Sequence, residues 1–287
     1  MKRLENKVAV ITGAGSGIGR ELAIRLAQEG CVCAVCDVDP HNLAKTAELA
    51  ANGKGISTHV VDVANRDQVY EFAELVSEQH GQVDLLINNA SVLVVDSVED
   101  VSYHDFEWLM GVNFWGMVYC TKAFLPFLRE RPEAHIVNVS SVDGMVGTPN
   151  NGPYCAAKFA VCGFTETLWQ ELHRTNVRVS CVLPGGVKTN LVRNARYFKM
   201  PNPSMSREEA VDWFEHIALS SPEKAAHTII KGIKKNKHRI LVGKDAWIID
   251  LLKRLMPEWT TRFAGYQMRN VSTSTFRWFK SQQSQER

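Results

Sequence analysis

The stretch that most constrains the fold is Thr12-Gly13-Ala14-Gly15-Ser16-Gly17-Ile18-Gly19. It follows Lys7-Val8-Ala9-Val10-Ile11-Thr12, a β-branched run that reads as a buried strand. It leads into a helical pattern over 20–29, stopped by Gly30. Glycines let the backbone turn sharply and approach a ligand, and a helix N-terminus offers free N–H groups to a pyrophosphate. A glycine-rich turn alone is a weak signal, and a tight turn without a ligand is its plain reading. Between a strand and a helix the signal is much stronger.

The rest of the chain repeats that alternation. A second strand ends at Asp37, where a carboxylate can accept from the ribose hydroxyls of an adenosine and repel a 2′-phosphate. That selects NAD over NADP. Asp39, ahead of Pro40, reads instead as a helix cap. A helix over 41–52, a strand over 57–61 ending at Asp62-Val63, and a helix over 66–80 closed by Gly81 follow. A strand over 83–88 runs into Asn89-Ala90-Ser91, and long helical stretches flank Asn113. A strand ending at Ser141, a helix over 153–175, a strand over 177–183 meeting Pro184-Gly185-Gly186-Val187-Lys188-Thr189, and a strand over 239–242 complete the pattern. Such alternation implies an α/β fold, a doubly wound parallel sheet of Rossmann type. It forms a single domain over 1–245, followed by a C-terminal helical extension over 246–287. Ligands of such sheets sit beyond the strands' carboxyl ends, where Gly13, Asp37, Asp62, Asn89, Ser141 and Pro184 all fall.

Tyr154 and Lys158 stand four apart at the start of a helix, so they share one face. An ammonium near a phenol favours the phenolate, which suits a general acid/base acting on an oxygen. Ser141 lies at a strand end, from which its hydroxyl can hold the same oxygen. Taken alone, Tyr-x-x-x-Lys is an ordinary surface pair.

Seven cysteines and no apolar leader at the start predict reduced thiols in a reducing, cytoplasmic compartment. Cys33-x-x-Cys36 formally matches a metal or redox spacing, but it sits inside an apolar strand run and reads as core, so no metal is expected. No eighteen-residue apolar stretch exists to span a membrane. Residues 234–287 carry twelve Lys and Arg against four Asp and Glu, a surface for anionic partners or simply a solvated tail. No nucleic-acid-binding motif accompanies it, and no nucleic acid is expected.

Thr12-Gly13-x-x-x-Gly17-x-Gly19, Asp37, Asp62, Asn88-Asn89-Ala90, Ser141 with Tyr154-x-x-x-Lys158, and Pro184-Gly185 occur in this order over about 5–245. In these the chain resembles the short-chain dehydrogenase/reductase family, in its common single-domain branch. The resemblance implies that Tyr154 is the general acid/base, that Ser141 orients the substrate oxygen, and that Lys158 lowers the Tyr154 pKa and holds the nicotinamide ribose. Asn113 would anchor a water in the proton relay. Gly13, Ser16, Gly17, Ile18, Gly19, Asn89 and Ala90 would line the cofactor, with Asp62 and Val63 at the adenine. Val187 and Thr189 would meet the nicotinamide beyond Pro184 and Gly185. The family usually has Gly where Ser91 stands; that position lies near the cofactor ribose, away from the catalytic residues. The implied activity is NAD-dependent oxidation of a secondary alcohol or reduction of a ketone.

Leu191, Val192, Tyr197, Phe198, Met200, Met205, Trp213 and Phe214 populate a lid over 190–220. They favour an apolar substrate, steroid-like, terpenoid or long-chain, unless they only pack the lid against the body. Apolar residues on more than one face of 103–130 and 153–175 predict a homodimer or homotetramer, Phe114, Trp115 and Phe159 among them. In the extension, a helix over 247–256 stops at Pro257. Its face of Ile248, Leu251, Leu252 and Leu255 is expected to pack on the body or a subunit interface, with peripheral membrane contact as the alternative. Phe276, Trp278 and Phe279 follow, and disorder is expected from about 281. A different class of function is a redox-silent dinucleotide-binding protein acting through the basic end. The presence of Ser141, Tyr154 and Lys158 together favours the enzyme.

Overall fold

The computed structural model of the chain describes residues 1–53, 55–200 and 205–269. Phe276, Trp278, Phe279 and the disorder expected from 281 lie outside the described residues.

The elements run β1 (Val8–Thr12), α1 (Gly17–Gln28), β2 (Val32–Asp37), α2 (Pro40–Leu49), β3 (Ile56–Val60), α3 (Arg66–His80), β4 (Leu85–Asn88), β5 (Val94–Val95) and α4 (Tyr103–Met110). A π-helical turn, Gly111–Trp115, joins α4 to α5 (Gly116–Arg129). Then come β6 (Ala134–Val139), a 3-10 turn (Val142–Gly144), α6 (Gly152–Glu171), β7 (Val177–Pro184), α7 (Asn190–Arg193), β8 (Arg196–Tyr197), α8 (Arg207–Ile217), α9 (Pro222–Lys234), β9 (Arg239–Val242), α10 (Lys244–Leu255) and α11 (Pro257–Arg269).

Seven parallel strands form one sheet in the order β3-β2-β1-β4-β6-β7-β9. The order reverses between β1 and β4, which opens a crevice at their carboxyl ends. Every residue of β1, β4 and β6 is buried, as expected for strands covered on both faces. One core layer joins α1 and α9 to the sheet through Leu22, Leu26, Ile229 and Ile233; the other joins α3 and α5 through Phe72, Val76 and Phe124. Cys31, Cys33 and Cys36 are buried free thiols of this core, as their strand setting predicts. Asp39 caps α2 by accepting from the His41 and Asn42 amides. Among the described residues no helix is long and apolar enough to cross a membrane.

The helical stretches expected to flank Asn113 are α4 and α5, joined by the π turn; at the start of α5 Gly116 lets the backbone approach Val63, where a Cβ would lie 2.8 Å from Val63 Cγ2. On α10 the face expected to pack on the body or a subunit interface does not pack on the body: Ile248, Leu251 and Leu255 are more than half exposed. The helix is rotated by its acids. Asp245 accepts from the Gly186 amide and Asp250 pairs with Arg239 on β9, so Ala246 and Ile249 on that side meet the body. Pro257, read as a stop, instead begins α11, where a missing N–H costs nothing.

His135 lies fully buried in β6. Ser180 donates its hydroxyl to the Lys237 carbonyl, so His135 Nε2–H donates to Ser180 Oγ at 2.8 Å. Nδ1 has no partner. Burial pushes this imidazole down to about 3. The unfolded chain takes up the proton near 6.5 and the folded chain only near 3, so stability is full above about pH 6.5 and falls as pH drops through that window. Each unit of pH inside it costs up to about 1.4 kcal/mol. Urea titrations between about pH 6.5 and 5 should show a shallower loss of stability in His135→Gln than in the parent. Equal slopes would show that His135 takes up its proton in the folded state as readily as in the unfolded one.

Candidate active site

The carboxyl ends of β1, β2, β4, β6 and β7 surround a cavity of about 490 Å³. At one end lies the glycine-rich turn. Gly13 has φ +64°, and a Cβ there would stand 2.6 Å from the Ala90 Cα. Ser16, Gly17 and Ile18 line the cavity at the N-terminus of α1. Ser16 makes no side-chain cap and the first turn of α1 holds no acidic residue, so its free N–H groups and positive dipole end are unneutralised. Asp37 Oδ2 accepts from the Gly15 amide at 2.8 Å, and Oδ1 accepts from the Asp39 amide at 3.2 Å. Asp37 therefore braces the turn while lining the cavity. Asp62 accepts from the Ala64 amide beside Val63, and Asn89 Nδ2 donates to the Thr12 and Gly13 carbonyls. Thr189 faces Gly17 closely enough that a Cβ at Gly17 would come within 3.1 Å of it. A cradle with a cationic helix end in the middle and carboxylates along the strand ends fits an anionic dinucleotide with its sugar hydroxyls at Asp37.

At the other end Ser141, Tyr154 and Lys158 meet. All three are buried. Lys158 Nζ donates to the Val139 carbonyl at 3.0 Å and lies 5.4 Å from the centre of the Tyr154 ring. Ser141 Oγ accepts from the Asp143 amide at 3.1 Å and makes a long 3.4 Å contact to Asp143 Oδ2. Burial lowers the Lys158 ammonium to about 8, against the pull of the neighbouring Asp143 charge. Tyr154 departs from the expected depression. Burial raises its pKa above the ordinary value and the Asp143 charge adds to this, while the Ser141 and Ser91 hydroxyls favour the phenolate. Burial outweighs the neighbouring polar groups, so Tyr154 rests as a neutral phenol.

Pro184, Gly185, Val187, Asn89 and Ala90 also line this cavity. Gly19 and Asn113 do not. A Cβ on Gly19 would collide with the Gly13 carbonyl, so Gly19 serves close packing of the turn. Asn113 accepts from the Val92 amide at 2.8 Å and donates to the Val92 carbonyl at 2.9 Å, clamping the segment after β4. It borders a separate void of about 10 Å³, room for roughly one water.

The structure adds residues that sequence reasoning missed. Ser91 does not stay clear of the catalytic residues: its buried hydroxyl lies close enough to Tyr154 to favour the phenolate. Its departure from the family's usual glycine was the signal. Asp143 was signalled by an acid two residues after Ser141 in an otherwise apolar stretch. Asp245 of α10 reaches back to the Gly186 amide at 2.6 Å, which no local pattern indicates.

Residues 7–199 match the short chain dehydrogenase family model. The chain is 43% identical over 260 residues to the oxidoreductase SadH of Mycobacterium tuberculosis, covering 89% of this chain and 93% of that protein. It is 31% identical over 275 residues to human estradiol 17-beta-dehydrogenase 11, covering 94% of this chain and 85% of that one. A short-chain dehydrogenase/reductase from Burkholderia phymatum, solved in complex with NAD, superposes with a TM-score of 0.81 at 31% identity, covering 90% of this chain and 96% of that one. The matching motifs, the parallel sheet and the cavity joining a dinucleotide cradle to Ser141, Tyr154 and Lys158 have one origin: the chain belongs to the short-chain dehydrogenase/reductase family.

Proposed function

We propose that the protein is an NAD-dependent dehydrogenase of apolar secondary alcohols, also able to reduce the matching ketones. The observation that carries this reading is one cavity holding Asp37 at one end and Ser141, Tyr154 and Lys158 at the other. NAD, when bound, accepts the hydride from the carbinol carbon. The chain's own residues handle the oxygen and its proton. Ser141 and Tyr154 hydrogen-bond the substrate hydroxyl, and Tyr154, once its resting phenol proton has passed to solvent, takes the hydroxyl proton as the carbonyl forms. Lys158 keeps a positive charge beside the ring, countering the burial that disfavours the phenolate. The walls beyond Tyr154 hold Val92, Leu93, Trp108, Leu191, Trp213 and Phe214, which supports an apolar substrate. So does the steroid alcohol in the name of the human relative.

On an accepted alcohol, Tyr154→Phe should lower turnover by about 10²–10⁴-fold while NAD affinity changes only a few fold. Steady-state rates with fluorescence titration of NAD measure both, and half the parent rate in the variant would remove Tyr154 from the mechanism.

Asp37 supports NAD over NADP through its charge at the end of β2. Asp37→Ala should weaken NAD binding and narrow that preference. Parallel titrations of the two cofactors check it, and tighter NADP binding by the parent protein would refute the assignment.

Homo-oligomerisation belongs to the same reading. Trp115 and Phe159 expose 48% and 44% of their surface on the segments expected to pair. Light scattering should give a dimer or tetramer, and a monomer at micromolar concentration would count against it.

A further inference from the structure

An alcohol oxidation of the kind proposed needs two hydroxyl groups at the reacting oxygen, Ser141 and Tyr154. The cavity holds more. Asp37 and Asp62 belong to the dinucleotide cradle and Lys158 stands beneath Tyr154, which leaves Asp143, among the described residues, as the one charged side chain at the substrate end. It is set in a wall that is otherwise largely apolar, on the 3-10 turn directly after Ser141. Thr148 donates to its Oδ1 at 3.0 Å. Its Oδ2 has only the 3.4 Å contact to Ser141 Oγ, at the limit of a hydrogen bond. Asp143 is half-buried, and burial pushes its carboxyl above the usual range against the Thr148 and Ser141 hydrogen bonds, so a further donor would favour the carboxylate. Ser91 adds a buried hydroxyl beside the Tyr154 phenol. Asp143 and Ser91 thus stand next to Ser141 and Tyr154, the two groups that would hold the reacting oxygen.

We propose that Asp143 is a substrate-binding carboxylate that accepts a hydrogen bond from a second hydroxyl on the carbon next to the reacting carbinol. The inference rests on the alcohol dehydrogenase reading and narrows it to apolar vicinal diols and the matching hydroxy ketones. The spacing supports adjacency. The oxygens of a vicinal diol stand about one hydrogen-bond length apart, as do Ser141 Oγ and Asp143 Oδ2. With one oxygen held by Ser141 and Tyr154, its neighbour reaches Oδ2 and supplies the missing donor. A mono-alcohol leaves that oxygen without the donor a diol supplies, and a site built around such a hydrogen bond disfavours the analogue lacking it. The other charged or titratable groups facing Tyr154 are Cys155 and Lys158 on its own helix, with the Ser91 and Ser141 hydroxyls opposite.

The test compares paired substrates with NAD: hydrobenzoin against diphenylethanol, and cyclohexane vicinal diol against cyclohexanol. The parent should show kcat/KM about tenfold or more higher for each diol, the effect of one hydrogen bond to a charged acceptor. Asp143→Asn and Asp143→Ala should bring each pair within about threefold by losing the diol's advantage, the two rates being compared on each variant's own pH plateau. The asparagine variant keeps an oxygen for Thr148, so it tests the idea should the alanine variant fail to fold; NAD titration confirms the fold of each. Removing the charge should also move the alkaline limb of alcohol oxidation to lower pH, because Asp143 opposes the Tyr154 phenolate. Equal loss on diols and mono-alcohols would mean that Asp143 only positions Ser141, and equal parent rates on both members of each pair would likewise overturn the inference. NAD binding with no turnover of any of the four would overturn the dehydrogenase reading and this inference together.

Discussion

The site depends on where an ammonium can be buried. Lys158 is 1% exposed, and a charge so placed requires an acceptor aimed at it. The acceptor is the carbonyl of Val139, at the carboxyl end of β6. Lys158 reaches this carbonyl from α6, at the rim of the sheet. Ser140, the next residue, donates its hydroxyl back to the Lys158 carbonyl at 2.8 Å. The start of α6 is thereby tied to the end of β6, and Ser141 and Tyr154 are brought to one point by the same junction.

That junction is reinforced inside the sheet. Asn88 on β4 donates to Thr121 on α5 and to Asn138 on β6, and Asn138 donates to Thr165 on α6. The chain of amides and hydroxyls is buried and crosses two strands and two helices. Asn88 and Asn138 are register partners, so a slip of one residue would break the chain as well as the ladder. Buried polar networks of this kind favour one arrangement over its near neighbours, because each partly satisfied alternative costs an unpaired group. Here the arrangement held is the angle of α6 on the sheet, and with it the distance from Tyr154 to Ser141.

Much of this was legible in the chain. Runs such as Val8–Thr12 and Val32–Asp37 announce buried strands, and glycines and acids at their ends mark the rim, because strand period and turn chemistry act over a few residues. What depends on distant packing was not legible. The π turn at Gly111–Trp115 lies next to the close packing of Gly116 on Val63, two segments far apart in sequence. The outward turn of Ile248, Leu251 and Leu255 follows from Arg239 and Gly186 claiming the acids of α10. The state of Tyr154 is of the same kind: the four-residue spacing to Lys158 indicates an attractive neighbour, while the burial that outweighs it is a property of the finished wall.

The link between α10 and the cofactor end of the cavity shows how far such packing reaches. Gly185 and Gly243 both lack a side chain where a Cβ would run into the Asp245 carboxylate. Two glycines thus make room for one acid, and Gly243 does so at φ +95°, a conformation that disfavours other residues. Asp245 spends one oxygen on the Gly186 amide and leaves the other buried without a partner. A half-satisfied buried carboxylate is a poor way to stabilise a fold. Its effect is geometric: it fixes the Pro184–Gly186 turn, and the segment from Val187 to Thr189 follows directly from that turn toward the glycine-rich loop opposite. The helix that begins the C-terminal extension therefore shapes the wall against which a dinucleotide would lie.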